Sequence, residues 1–266
     1  MRLAVAATAQ LGADVLARLA ASHEIAFLLT RPDAPRGRGR QPGPPPAKVE
    51  AERLGIPVHQ PVRPELPEGE VDVVVVCAYG LLIPNEMLDD GLWLNVHPSL
   101  LPRWRGAAPV ERAILAGDTE TGVTIHETVE ALDAGPIAAQ EAFPVGDADA
   151  GAIYQHAAER AVALLDGLLE DGVPDRSTFI PQRSEGVTYA EKLGPADRAL
   201  DLGDAEGALR RVRALSPHIG ARSELHGRSV TVWDGRITDG RFEPVVVQPD
   251  GGRRMAYAEF LRGVRV

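Results

Sequence analysis

Asn95 and His97 stand two residues apart in residues 92–110, LWLNVHPSLLPRWRGAAPV. On a β-strand that spacing sends both side chains to one face and Val96 to the other. Pro98 cannot continue a central strand, so the pair falls at the strand's carboxyl end. That edge is where open parallel sheets bind ligands. An amide and an imidazole together offer donors for a developing oxyanion and a group that carries a proton. Asp133, in the Gly/Pro turn of residues 131–137 (ALDAGPI), is of a type that fixes an imidazole's tautomer. Residue types alone leave a second reading open, a structural histidine and aspartate. A relay in which Ser99 is the nucleophile is the weaker variant, because successive strand side chains alternate in direction.

Other chemistries lack their residues. Lys48 and Lys192 are the only lysines, and neither stands in the Gly-Lys-Ser/Thr setting of a phosphate-binding loop. GRGRQP at residues 37–42 misses the third glycine of a dinucleotide fingerprint and no strand-to-helix turn surrounds it. HETVE at residues 126–130 lacks the second histidine of a zinc-protease helix and reads as strand. Cys77 is the single cysteine. It excludes intrachain disulfides and Cys-rich zinc modules, fits a reducing compartment, and reads as a buried inert thiol. No metal site is expected.

The elements that must position the pair follow from hydropathy. Residues 3–7, 25–30, 71–78, 93–97 and 122–128 read as strands. Residues 12–20, 47–54, 109–116 and 150–169 read as helices. The unbroken β-branched run at 71–78 marks a sheet buried on both faces, hence a parallel α/β core. Residues 184–201 are polar and aperiodic and read as a linker. Asp204 is a cap for a helix running to Leu215. Short alternating strands at 228–233 and 242–247 then predict a small β-barrel, ending in a helix at 256–262. The expected class is a Rossmann-like, mostly parallel α/β sheet domain (1–185), a linker (186–199) and a C-terminal OB-like barrel domain (200–266).

Composition sets the outer bounds. The chain has 266 residues, 28 Lys+Arg and 38 Asp+Glu, for a net charge of −10. At first that opposes a nucleic-acid partner. The charge is uneven, however. Arg36, Arg38, Arg40 and Lys48 form a local run of four positive residues without an acid, and residues 195–266 carry 12 Arg against 10 Asp and Glu. The most apolar run, 71–83, contains Asp72 and is shorter than the roughly 20 residues of a membrane span. The N-terminal stretch reads as strand, turn and helix in preference to a secretory signal.

Whole strings then narrow the function. Asn95-Val96-His97-Pro98-Ser99-Leu100-Leu101-Pro102 resembles the signature of the folate-dependent formyltransferases, as do Ala78-Tyr79-Gly80-Leu81-Leu82-Ile83-Pro84, Arg103–Pro109 and Ala116–Ile125. The segments Thr30–Asp33 with Gly37–Arg40, and Thr188–Leu193, look like the inserted basic loop and interdomain linker of the members that formylate methionyl-tRNA. Where that family usually has Gly-Thr-Pro after its first strand, this chain has Ala7-Thr8-Ala9.

The resemblance implies transfer of a formyl group from 10-formyltetrahydrofolate to the amino group of initiator methionyl-tRNA, without a metal. It implies Asn95, His97 and Asp133 as catalytic residues. It places Tyr79, Gly80, Leu81, Leu82, Ile83, Ser99, Leu100, Leu101 and Pro102 at the folate. It assigns Arg36, Arg38, Arg40 and Lys192 to tRNA, and it implies a cytoplasmic monomer. The nearest rival acceptor is an amino-sugar nucleotide, whose formylation has less need of the basic loop or the linker. Glycinamide ribonucleotide leaves the second domain unexplained. A non-catalytic RNA- or folate-binding protein would not require His97 and Asp133.

Overall fold

The computed structural model describes residues 1–36, 41–67, 69, 71–89 and 91–264, with Arg36, Gln41 and Pro42 described by backbone only. In chain order the elements begin β1 (Arg2–Ala7), α1 (Gln10–Leu19), β2 (Glu24–Leu29), β3 (Ala34–Arg36), β4 (Gln41–Gly43), α2 (Pro46–Leu54) and β5 (Val58–His59). Next come β6 (Val73–Cys77), α3 (Asn85–Asp89), β7 (Leu92–His97), β8 (Arg105–Gly106), α4 (Pro109–Ala116), β9 (Glu120–Glu127), β10 (Ile137–Pro144) and α5 (Ala150–Leu169). The C-terminal part contains β11 (Tyr189–Ala190), α6 (Ala205–Leu215), β12 (Ala221–Leu225), β13 (Arg228–Thr238), β14 (Arg241–Pro249), β15 (Met255–Ala256) and α7 (Tyr257–Arg262).

The chain divides into two compact units. The first comprises Met1–Arg105, Gly122–Ala142 and Gln155–Thr188; the second comprises Gly106–Thr121, Phe143–Tyr154 and Tyr189–Val266. The first is built on a seven-stranded sheet of order β10-β9-β7-β6-β1-β2-β5. β1, β2, β5, β6 and β7 run parallel, and β9 pairs antiparallel with β7. Every residue of β6 is buried, as are five of the six in β1. Continuous apolar strands pack layers on both faces, which is why they carry no polar alternation. Burial also pushes the Cys77 thiol up, so it stays protonated and inert.

α1 lies close to this sheet because Gly12 has no side chain. A Cβ there would stand 2.6 Å from the Ala7 Cβ and 2.7 Å from the Cys77 carbonyl oxygen. The helix therefore drops its buried stripe of Leu11, Val15, Leu16 and Leu19 onto the strands.

In the second unit the Asp204 side chain accepts from the Gly207 N–H and caps α6. α6 buries Ala208, Val212 and Leu215 with Val230, Val232, Phe242, Val247 and Phe260. The strands run in the order β12-β13-β14-β15, all antiparallel. Among the described residues no pairing joins β12 to β15, so an open antiparallel sheet stands where a barrel was expected. No helix of the described residues is long and apolar enough to cross a membrane.

Candidate active site

β7 ends at His97 and so delivers Asn95 and His97 at its carboxyl end, as Pro98 requires. The register sets their neighbours: Asn95 pairs with Val76 on one side and His126 on the other, and His97 pairs with Thr124. The chain leaving β6 therefore passes beside Asn95, and that chain is the segment Ala78–Pro84.

Asp133 arrives from the turn after β9. Its backbone has φ +47°, a left-handed conformation that costs a non-glycine residue about 1 kcal/mol or more and persists where surroundings enforce it. Two residues on, a Cβ at Gly135 would collide with the Glu127 carbonyl, so the turn closes back on its own strand. This places the carboxylate between the two β7 side chains. Asn95 Nδ2 donates to Asp133 Oδ1 at 3.2 Å, and His97 Nδ1 lies 3.6 Å from Asp133 Oδ2. The second distance exceeds a hydrogen bond, and the contact becomes an ion pair only when the imidazole carries a second proton.

His97 is 4 % exposed, and its Nε2–H donates to the Trp104 carbonyl at 2.8 Å. The backbone acceptor fixes one ring proton on Nε2. Acid–base chemistry is thereby assigned to Nδ1, the atom that faces Asp133.

The sequence did not disclose His126 as a member of the site. It lies on β9, the strand reading of HETVE, and is 1 % exposed. Its Nδ1–H donates to the Glu127 carbonyl at 2.9 Å, leaving Nε2 to accept from Asn95 Nδ2 at 3.0 Å. Burial drives its pKa down to about 4, against the smaller upward pull of Asp133. His126 is thus a neutral acceptor that orients the Asn95 amide. Both hydrogens of that amide are engaged. The longer bond, to Asp133, is the one a developing oxyanion can replace.

The expected folate residues divide by burial. Tyr79 and Ile83 are buried with Phe27, Val76 and Trp93. The Tyr79 hydroxyl has no hydrogen-bond partner among the described residues, and burial raises its pKa to about 12. Gly80 is exposed with φ +76°, Leu81 is half-buried, and Leu82 is 81 % exposed. The Asp133 turn likewise presents Leu132, 63 % exposed. Apolar side chains held out on two loops suit a planar heteroaromatic ligand, so the residues present fit a folate. Ser99 is fully buried and donates to the Arg103 carbonyl at 2.7 Å. Its proton is committed there, which removes the nucleophile reading. Leu101 is buried, Leu100 and Pro102 half-buried. The Leu101 backbone N–H donates to Thr124 Oγ1 at 3.2 Å, holding this segment to β9.

Of the basic residues, Arg38 and Arg40 lie outside the described residues, as does the Arg36 side chain. The backbone of Arg36 is in β3, paired with β4. Lys48, at the end of the same basic run, binds both Asp33 carboxylate oxygens at 2.9 and 3.0 Å, and Gln60 Nε2 adds a bond to Asp33 at 2.8 Å. Lys192 is exposed in the second unit. No group of His, Cys, Asp and Glu among the described residues could hold a metal ion.

A second amide missed from sequence touches this site. Gln182 donates to the Asp133 and Gly135 carbonyls, both at 2.8 Å, and accepts from Arg105. Only the fold brings it there, across 49 residues of chain.

Comparison with known proteins agrees with the geometry. The methionyl-tRNA formyltransferase of Aromatoleum aromaticum is 39 % identical over 300 residues, covering 100 % of this chain and 95 % of that one. The methionyl-tRNA formyltransferase from Clostridium thermocellum superposes with a TM-score of 0.64 at 14 % identity, over 94 % of this chain and 98 % of its own. HypX from Aquifex aeolicus, in complex with tetrahydrofolic acid, superposes with a TM-score of 0.65 at 21 % identity, over 98 % of this chain and 46 % of its own. The two structural likenesses speak for the fold. The family model described as formyl transferase matches residues 1–166. With a cluster of amide, imidazole and carboxylate at a strand's end and a match over more than half its length, the chain belongs to the formyl transferase family.

Proposed function

We propose that this chain transfers the formyl group of 10-formyltetrahydrofolate to the amino group of initiator methionyl-tRNA, with Asn95, His97 and Asp133 as its catalytic residues. The observation that carries the assignment is the convergence of those three side chains within 3.2–3.6 Å at the end of β7.

The folate supplies the formyl group on N10. The neutral amine attacks the formyl carbon, a C–N bond forms, and the carbonyl oxygen becomes an oxyanion. Asn95 donates to that oxygen by exchanging its Asp133 bond, and this preorganised donor lowers the barrier. His97 Nδ1 takes the proton the amine must lose, as imidazolium faces Asp133, and returns it to N10 as the C–N10 bond breaks. One proton leaves the amine and one reaches N10, so neither a metal nor a covalent enzyme intermediate is required. Tyr79, Gly80, Leu81, Leu82, Ile83 and Ser99, Leu100, Leu101, Pro102 form the folate side of this reading. The exposed Leu82 makes contact directly, and the buried Tyr79, Ile83 and Ser99 shape the loops.

In the same reading residues 1–185 are the catalytic domain, 186–199 a linker, and 200–266 an antiparallel-sheet platform for tRNA. Arg36, Arg38, Arg40 and Lys192 contact phosphates. In this reading the chain acts as a monomer in the cytoplasm. The deciding experiment supplies 10-formyltetrahydrofolate with methionyl-tRNA and with amino-sugar nucleotides in parallel. Formyl-methionyl-tRNA as the product supports the reading; product from the nucleotide arm alone replaces it with the sugar-nucleotide reaction.

A further inference from the structure

Gln182 has no acid–base chemistry of its own, yet four hydrogen bonds converge on its side chain. Nε2 donates to the carbonyls of Asp133 and Gly135, each at 2.8 Å. Oε1 accepts from Arg105 Nε at 3.1 Å and Arg105 Nη2 at 2.6 Å. One amide thus joins the turn that carries Asp133 to the segment that follows His97. The segment bearing Gln182 is itself anchored two residues upstream, where Ile180 and Ile137 exchange backbone bonds at 2.8 and 2.9 Å.

The turn needs such a tie. Asp133 holds a left-handed backbone at φ +47°, which relaxes unless neighbouring contacts enforce it. The residue type matters as well. Two carbonyls require donors and a guanidinium requires an acceptor, and a glutamine offers both from one group. A glutamate would keep the arginine and present oxygen to the two carbonyls.

We propose that Gln182 is a positioning residue for formyl transfer: it fixes the Asp133 turn so that the carboxylate stays between Asn95 and His97. The inference rests on the assignment of Asp133 above, and it acts through that residue alone.

The test is steady-state formylation of methionyl-tRNA by Gln182→Ala, Gln182→Glu, Asp133→Asn and the Asp133→Asn/Gln182→Ala double variant, with thermal melts of each. Gln182→Glu retains the Arg105 bonds and carries the test if the alanine variant folds poorly. In both single Gln182 variants kcat falls by about 10- to 100-fold, the scale of a misplaced catalytic group, while KM for either substrate is held. In the Asp133→Asn background the loss of Gln182 costs less than about twofold further, because its effect runs through the missing carboxylate. Wild-type kcat in both Gln182 variants overturns the inference, as does a full loss that recurs in the Asp133→Asn background. Wild-type kcat in Asp133→Asn overturns the catalytic assignment as well, so the two failures are told apart.

Discussion

His97 is held at two points, and the two are unequal. A carbonyl 2.8 Å from Nε2 fixes the ring, while a carboxylate 3.6 Å from Nδ1 leaves that nitrogen able to exchange a proton. His97→Ala and Asp133→Asn are each expected to lower kcat for formylation by about 10²–10⁴-fold, the usual range for a lost acid–base group. A purified His97→Ala enzyme turning over at the wild-type rate would refute the role. His126 makes a different prediction. Its pKa near 4 in the fold, against about 6.5 unfolded, means the unfolded chain binds more protons between those values. Its contribution is complete above pH 6.5 and is lost as pH falls toward 4. His126→Gln should show a smaller drop in melting temperature between pH 7 and pH 4.5; identical drops in the two proteins would contradict the neutral buried imidazole. Asn95, His97 and Asp133 were legible because their spacing and strings lie along the chain. His126 and Gln182 were not, since strand register and a loop crossing create their contacts.

At the scale of elements, the closeness of α1 to the sheet depends on one missing methyl. Gly12→Ala gains about 1 kcal/mol of helix propensity, but its Cβ would meet the Ala7 side chain and the Cys77 carbonyl, neither of which can yield. Overpacking of this kind costs about 1–3 kcal/mol, so the net expectation is a lower urea midpoint at unchanged slope. A raised midpoint would show that the helix can lift without loss. The same buried strands that forbid this methyl were the easiest elements to read, because VVVVC in β6 admits no polar alternation. β10 was hidden: IAAQEAFP mixes Ala with Gln and Glu, as an edge strand permits, and gives no clear period. β12, ARSEL, was hidden by three consecutive polar residues. β13 runs to Thr238, past the sequence boundary at Trp233, because register shifts around Asp234 let the strand continue beyond the break in its pattern.

For the whole molecule the question is how a chain of net charge −10 engages RNA. Residues 195–266 are positive by two, which leaves −12 on residues 1–194, within which the basic run stands apart. Affinity for tRNA measured against salt should fall with a slope set by the number of phosphates neutralised. An Arg36→Ala/Arg38→Ala/Arg40→Ala triple variant is expected to flatten that slope, and an unchanged slope would remove the run from the RNA contact. The ion pair of Lys48 sets the size of the change. Because its ammonium holds both oxygens of Asp33, it has its counter-ion within the protein and releases none from the RNA. The run therefore displaces at most three condensed cations, one for each arginine, and the triple variant should lower the slope by about 2–3. An Asp33→Asn variant would free a fourth site and steepen it.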